Sequence, residues 1–338
     1  MFKDKSNKIY RRIEIYLIFV ILFLSTILSL FNPDYLTLEN LFDVLRSISF
    51  LGILAVGVLM VLISGGIDIS FTATATVSQY IMALVIVNHS QLNIVIAFGI
   101  AIGIGFVLGA INACLIYYLK APSIIITIAT LNVYYSLLVF FSGGRWIYNF
   151  PKWFRNFARL NIFQLTTNEG IKIGFSFLTF IWLIIVVIAF IILKYTTLGR
   201  KIYAIGSNME AAHRVGINIF SIQFFVYCFM GILAGVASVI QALLAQTVAP
   251  NAIMGRELDV IAAVVLGGAS LFGGEGTLPG TLLGVALIAV MANGLTLMRV
   301  SSYWQKVAIG LIIIISVSIN AYQRKMEKRR IVSVNLDE

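Results

Sequence analysis

The chain carries about ten apolar runs separated by short polar breaks. A helix of about 20 apolar residues is long enough to cross the hydrocarbon core of a bilayer. The eighth run is short, so we expect it to cross only part of the membrane. The pattern predicts an all-α fold, a polytopic transmembrane helix bundle of about ten membrane elements that include short or broken helices. The runs lie near 13–31, 42–64, 69–87, 93–118, 122–141, 173–193, 219–245, 258–272, 278–298 and 302–321.

Composition supports lipid as the solvent for most of the chain. Hydrophobic residues make up 60% and charged residues only 11%, whereas soluble domains average about 45–50% and about 25%. The net charge of +10 comes from clusters at the chain ends and in loops. Because no basic stripe with interleaved aromatic residues occurs, we expect no nucleic-acid partner. The two cysteines and two histidines lack the spacing of a metal site, and we expect no metal or cofactor.

Lysine and arginine placement gives the orientation, because cytoplasmic loops of membrane proteins are enriched in these residues. The basic segment 1–12 is predicted to be cytoplasmic, followed by a transmembrane domain over 13–322 and a cytoplasmic tail over 323–338. The apolar stretch from Ile13 is long and lacks a small-residue cleavage site after it, so it is interpreted as a retained span rather than a signal peptide.

One segment disagrees with this orientation. Residues 142–172 contain five lysines and arginines, yet the span count places them outside the cell. The basic loop 194–218 agrees with the cytoplasmic assignment, as do both chain ends. We therefore retain the orientation, with a miscounted span before residue 142 as the alternative.

Paired small residues occur four apart within several of the runs. Such pairs allow helix backbones to approach closely in membranes. They predict a tightly packed bundle and say nothing about function. The pairs are Gly99/Gly103, Gly105/Gly109, Gly231/Gly235 and Gly280/Gly284.

A charged residue, Asp68, lies between the second and third apolar runs. Asp68 follows Ser64-Gly65-Gly66, whose glycines are expected to break the helix. A carboxylate at membrane depth needs compensation, which freed backbone amides or the hydroxyls of Ser64 or Ser70 could supply. One interpretation is a broken helix lining a substrate cavity. The other is a cytoplasmic turn in which Asp68 caps the next helix.

Two further segments stand out between the runs. Glu210-Ala211-Ala212 favours a short helix, and Gly216 permits a sharp turn at its end; the alternative is a polar linker with inside-positive charges. The stretch 257–277 is an apolar run that ends in five glycines around Glu275. Without a lysine it is not a phosphate-binding loop, and it predicts a short or re-entrant helix with a flexible turn.

Several motifs together resemble one family. The elements Gly65–Ser70, Gly199–Asn208 and Glu257–Gly268 are similar, in order and spacing, to the permeases of ATP-binding-cassette importers for ribose, xylose, galactose, rhamnose and autoinducers. The resemblance extends over about residues 40–322 and includes Asn293-Gly294-Leu295 and Tyr303-Trp304-Gln305. Ser70-Phe71-Thr72 departs from the usual Ser-Val-Gly. The loop Ser142–Trp146 is similar to one in some autoinducer and rhamnose importers, which leaves a non-pentose cargo open.

The resemblance implies a membrane-spanning permease subunit in a bacterial inner membrane. Its implied partners are a second permease, identical or not, a cytoplasmic ATP-binding subunit, an external solute-binding protein and a monosaccharide or related small polar solute. Since the sequence contains no G-x-x-x-x-G-K-[ST] loop, ATP hydrolysis belongs to a separate chain, and this chain is not an enzyme. The residues that match the family's ATPase-coupling loop are Glu210, Ala211, Ala212 and Gly216.

A sugar-like cargo predicts neutral polar side chains along the pathway. The candidates for the translocation pathway are Asp68, Gln79, Asn112, Asn132, Gln241 and Asn293. Many buried amides in membrane bundles only bond neighbouring helices. The alternative function is an ion-coupled secondary transporter or channel, which the scarcity of ionisable residues within the runs disfavours. An intramembrane enzyme is disfavoured because no catalytic constellation appears.

Overall fold

The structure, a computed structural model, describes residues 2–166, 172–301, 303–308, 310, 311 and 314. Within these residues, eight helices are long and apolar enough to cross a membrane, which confirms the all-α, polytopic bundle. They are α1 (Phe2–Phe31, apolar from Ile13), α2 (Leu38–Ile63), α3 (Phe71–Asn88), α4 (Ile94–Leu119), α5 (Ser123–Ser142), α7 (Phe177–Tyr195), α10 (Ile219–Ala245) and α12 (Leu278–Leu297).

Shorter elements connect these helices. A 3₁₀ turn at Pro33–Leu36 precedes α2, and α6 (Lys152–Phe157) is followed by an antiparallel hairpin of β1 (Asn161–Thr166) and β2 (Lys172–Ser176). Two helices, α8 (Thr197–Ser207) and α9 (Met209–Arg214), precede α10, and α11 (Glu257–Leu266) precedes α12.

The helix boundaries follow the apolar runs with three informative differences, of which the first is the start of α2 at Leu38 rather than at residue 42. The helix expected from residue 173 begins at Phe177, because residues 172–176 pair with β1 as a strand. The short eighth element, expected over 258–272, is the ten-residue helix α11, which begins at Glu257 and ends at Leu266, so residues 267–272 are not helical. Residues 303–308 are helical, but most of the run 302–321 and the tail 323–338 lie outside the described residues.

Hydrogen bonds gather the helix ends into two groups. At one end, which we call the Ile63 end, Gly274 N donates to Ile63 O at 2.9 Å and the Tyr203 hydroxyl donates to Gly276 O at 2.8 Å. At the opposite Asn32 end, Asn32 Nδ2 donates to Leu297 O at 3.3 Å. Five membrane-length helices precede residue 143, so the count of spans before the basic loop is confirmed.

The centre of the bundle is formed by α2 and α10. In the apolar 18-residue stretch of each helix, 83% is buried inside the bundle in α2 and 72% in α10, but only 11% in α1. A helix that is apolar all round and buried belongs in the core, whereas an exposed apolar helix in a membrane protein faces lipid. Thus α1, which packs along α12, lies at the perimeter.

Glycine pairs set the distance between the central helices. A Cβ atom on Gly105 would overlap the Gly231 carbonyl oxygen, and one on Gly109 would overlap the Tyr227 carbonyl oxygen, so α4 and α10 touch backbone to backbone. Gly284 meets the Ala263 carbonyl in the same way, which joins α12 to α11. By contrast, a Cβ on Gly99 or Gly103 would meet nothing within 4 Å. The close packing predicted from the glycine pairs is present at α4/α10 and α11/α12 but not at Gly99/Gly103.

Gly105→Leu is expected to destabilise the bundle far more than Gly103→Leu. The first side chain would push α4 away from α10, and overpacking of this kind costs about 1–3 kcal/mol, whereas Gly103 is exposed on the same helix. The measurement is thermal aggregation of the detergent-solubilised protein followed by size-exclusion chromatography. Equal midpoints for the two variants would contradict the α4–α10 contact.

Candidate functional site

The backbone between α2 and α3 leaves the helical conformation inside the bundle. Gly65 takes the left-handed conformation with φ of 84°. The extended segment that follows is held by α5: the Ile67 amide donates to Ser123 Oγ at 2.9 Å, and Thr127 Oγ1 donates to Ile67 O at 3.2 Å. Non-helical backbone at membrane depth is tolerated where neighbouring groups satisfy it or where it lines a cavity. The predicted helix break is therefore present, and residues 64–70 are called the α2–α3 break.

Asp68 is at the centre of a hydrogen-bond chain that starts in this break. Its carboxylate, 4% exposed, accepts the Ser70 amide at 2.8 Å and the Ser70 hydroxyl at 2.7 Å. Asn112 Nδ2 of α4 donates to Ser70 Oγ at 2.7 Å, and the Tyr134 hydroxyl of α5 lies 3.3 Å from Asn112 Oδ1. These four residues form what we call the Asp68 network, which ties the break to two neighbouring helices.

The Asp68 network bears on the two interpretations of Asp68, as part of a broken helix or as the cap of the next helix. The N-cap position of α3 is occupied by Ser70, not Asp68, and Ser70 makes no side-chain capping bond. Asp68 instead holds the backbone one turn before the helix. Of the two hydroxyls expected to compensate the carboxylate, Ser70 does so, while Ser64 Oγ donates to Val61 O of its own helix at 2.7 Å.

The other pathway candidates are dispersed. Gln79 is fully buried, and its Nε2 donates to Ser238 O of α10 at 3.0 Å while its Oε1 has no partner among the described residues. Asn293 exchanges bonds of 3.0 and 2.7 Å with Asn40 at the Asn32 end. Asn132 is exposed on α5, with Nδ2 donating to Ile128 O at 2.8 Å, and Gln241 is half-buried on α10. Only Asp68 and Asn112, of the six, come into one cluster.

The predicted short helix at Glu210–Ala212 is present as α9. Asn208 begins it, since its Oδ1 accepts the Ala211 amide at 2.9 Å. Ala212 is buried, while Glu210 and Arg214 form an exposed pair one turn apart with a separation of 2.6 Å. We call residues 208–217 the coupling segment, after the role that its motif predicts.

Gly216 ends α9 in a Schellman motif. Its φ is 81°, its amide donates to His213 O at 3.0 Å, and the Ile217 amide donates to Ala212 O at 3.1 Å. These are the two bonds that close a helix through a left-handed residue, which favours glycine. A Cβ at Gly216 would meet nothing within 4 Å, so the chain itself leaves this position open.

The break and the coupling segment line one cavity at the Ile63 end. The cavity measures about 1100 Å³. Its lining includes Ser64, Gly65 and Gly66 of the break and Lys120 to Ser123 of the turn between α4 and α5. The lining also includes Met209, Glu210, His213 and Gly216 of the coupling segment, together with Tyr227 of α10. A shift of α9 therefore changes the same cavity that borders the break.

Glu257 is a second buried carboxylate, and it is not among the six pathway candidates predicted from the sequence. Glu257, 8% exposed, accepts the hydroxyl of Thr72 in the first turn of α3 and the Gly255 amide at 3.2 Å. Arg256 lies 5.9 Å from the Phe50 ring centre. A signal existed in the sequence, because Glu257 and Asp259 open an apolar run and acidic residues favour the first turn of a helix. The bundle therefore buries two carboxylates, Asp68 and Glu257, among the described residues.

The chain is similar in sequence to known proteins over most of its length. The family described as "Branched-chain amino acid transport system / permease component" matches residues 40–317. This range nearly coincides with residues 40–322, over which the motifs show their resemblance. No solved structure shows a significant match to the chain.

Curated relatives cover most of the chain. The ribose import permease protein RbsC of Haemophilus influenzae is 33% identical over 89% of this chain and 91% of its own. The ribose import permease protein RbsC of Bacillus subtilis is 35% identical, with 87% and 88% covered. The autoinducer 2 import system permease protein LsrC of Photorhabdus luminescens is 31% identical, with 89% and 87% covered.

Proposed function

Since this chain belongs to the family of transport-system permease components, we propose that it is the membrane-spanning permease of an ATP-binding-cassette importer for a monosaccharide or related small polar solute. The cargo class follows the names of the relatives, which import ribose and autoinducer 2, rather than the amino-acid wording of the family description. Its location is the bacterial inner membrane, in keeping with the eight membrane-length helices.

We propose three protein partners for this permease. The absence of a nucleotide-binding loop from the sequence assigns ATP hydrolysis to a separate cytoplasmic subunit. A second permease completes the membrane part, and an external solute-binding protein delivers the cargo. Asn132 supports the second permease, because an exposed amide on an apolar helix is costly in lipid and is better accommodated against another helix or a polar pathway.

The observation that carries the proposal is the cavity shared by the coupling segment and the α2–α3 break. In the proposed mechanism, the ATPases hold α9 and move it when they close on ATP. Movement of Glu210 and His213 then reshapes the cavity that Ser64 and Gly66 also line. Because the break continues into the Asp68 network, the motion reaches α4 and α5 at membrane depth.

The translocation pathway is proposed to run beside this network. Asp68 and Asn112 are its fixed polar groups, with Asn132 and Gln241 as further solute contacts on α5 and α10. Gln79 and Asn293 remain pathway candidates, although each bonds a neighbouring helix and so has a packing role.

An ion-coupled transporter is the second candidate function, and buried carboxylates are the observation in its favour. Asp68 and Glu257 both lie within the bundle, where such residues often mark ion pathways. Against it, both carboxylates accept bonds from fixed neighbouring groups. This alternative predicts uptake driven by an ion gradient without ATP.

The orientation and the ATPase contact are tested together by cysteine labelling. In a variant without Cys114 and Cys228, a cysteine at Asn208 is expected to react with a membrane-impermeant maleimide only in inside-out vesicles, and to be protected when the ATPase is bound. A cysteine at Asn149 should react in intact cells. Labelling of position 208 in sealed cells, or the lack of protection by the ATPase, would contradict the proposal.

A further inference from the structure

A compact structure at the Asn32 end carries four exposed basic side chains. They belong to residues 143–160, which we call the basic platform and which include α6. Arg145, Lys152, Arg155 and Arg159 are all exposed. Within the described part of the chain, none of the four forms a salt bridge.

The platform is fixed to the bundle at several points. The Trp153 indole donates to Ser90 O at 2.8 Å, and Arg46 Nη2 donates to Ala158 O at 2.7 Å. Ile147 pairs with Val248 through backbone bonds of 2.8 and 3.1 Å. The side that faces the bundle is apolar, with Phe150 and Phe154 buried and stacked at 4.8 Å. Its cations therefore project from a rigid support.

Membrane topology does not account for these charges. In the proposed orientation the Asn32 end is external, where lysine and arginine are disfavoured. The neighbouring segment 32–45, which joins α1 to the start of α2, follows the rule, since it contains no lysine or arginine. A rigid cationic surface of this kind, opposite to what topology favours, needs a partner of opposite charge.

We infer that the basic platform is the docking surface for an acidic face of the external solute-binding protein. This inference rests on the proposed function and orientation. A protein fits better than anionic lipid, because the platform is attached to both central helices: α6 packs on α10, and Arg46 of α2 donates to Ala158 O. Complementary charge at the rim of an interface speeds association and makes it salt-dependent.

The test uses the complete transporter in nanodiscs of zwitterionic lipid, with its own solute-binding protein loaded with ribose. In the variant R145Q/K152Q/R155Q/R159Q, the binding-protein concentration that gives half-maximal ATP hydrolysis is expected to rise about tenfold at low salt. The difference should largely disappear at about 0.5 M salt, where exposed charges are screened. Basal hydrolysis and the size-exclusion profile should match the unmodified complex.

Two control variants separate charge from other effects. R145K/R155K/R159K keeps every charge and should behave as the unmodified complex does, whereas D34N/E39Q/D43N should not weaken docking. An unchanged half-maximal concentration in the neutral variant would overturn the inference. So would an effect that appears only when anionic lipid is added, because the charges would then bind lipid. If binding protein fails to stimulate even the unmodified complex, the importer assignment is rejected, and the docking surface with it.

Discussion

Gly216→Val is expected to reduce uptake and ATPase stimulation to the background level while leaving the protein folded in the membrane. The residue ends α9 with φ of 81°, a conformation that costs a non-glycine residue about 1–2 kcal/mol and a β-branched residue more. The turn places α9 against the shared cavity, so its loss should uncouple the ATPase from the α2–α3 break. The measurement is ATP hydrolysis by the purified complex with loaded binding protein.

Two substitutions at the same position separate turn geometry from partner contact. Gly216→Asn should retain most activity if only the left-handed turn matters, since asparagine adopts that conformation. Gly216→Asp also tolerates the turn but adds a charge, and a Cβ there has free space within the chain. Failure of the aspartate variant together with activity of the asparagine variant would place Gly216 at a contact with the ATPase. Normal stimulation in the valine variant would refute the role of the turn.

Asp68→Ala is expected to lower uptake at least tenfold. Its carboxylate is the acceptor for both the amide and the hydroxyl of Ser70, and leaving a buried donor without a partner costs about 1–3 kcal/mol. The loss would release Asn112 and Tyr134 from their fixed positions on α4 and α5. Asp68→Asn keeps an acceptor oxygen and should retain intermediate uptake.

Ser64→Ala is the matched control for this site. Ser64 lies in the same break, but among the described residues its hydroxyl donates to Val61 O of its own helix and to no other element. Uptake by this variant should remain within about twofold of the unmodified protein. Radiolabelled ribose uptake, normalised to the amount of permease in the membrane, measures all three variants. Equal uptake by the alanine variants of Asp68 and Ser64 would contradict a role for the Asp68 network.

The membrane helices could be predicted because a long apolar run in lipid satisfies its own backbone hydrogen bonds as a helix. Elsewhere local signals compete with the apolar pattern. Residues 173–176 are apolar enough to extend the α7 run, yet they pair as a strand because β1 supplies a partner. The start of α2 at Leu38, earlier than residue 42, depends on the Thr37 hydroxyl, which accepts the Asn40 amide.

The site was less accessible to prediction, because it depends on how helices rotate against each other. The sequence identified Asp68 and Asn112 separately, but their link through Ser70 requires α4 to present Asn112 toward the break. That rotation follows from the backbone contact of Gly105 and Gly109 with α10, which the glycine spacing suggested without naming the partner helix.

Long-range pairs explain the remaining differences. Thr72 and Glu257 meet although 185 residues separate them, and no local pattern connects the two. Asn293 was proposed for the pathway on polarity alone, but it pairs with Asn40 across 253 residues. In a lipid-embedded bundle, an amide that serves packing and one that serves transport have the same sequence signal.

We propose that this permease carries a small polar solute across the membrane with energy from a separate ATPase. Uptake of a radiolabelled cargo, ribose or autoinducer 2, is measured in proteoliposomes that contain the permease, with the ATPase and the loaded binding protein either present or omitted. We predict uptake only when both proteins and ATP are supplied, with no effect of ionophores that collapse ion gradients. Uptake by the permease alone, driven by a proton or sodium gradient and insensitive to ATP, would instead identify an ion-coupled transporter and contradict the ATP-driven importer.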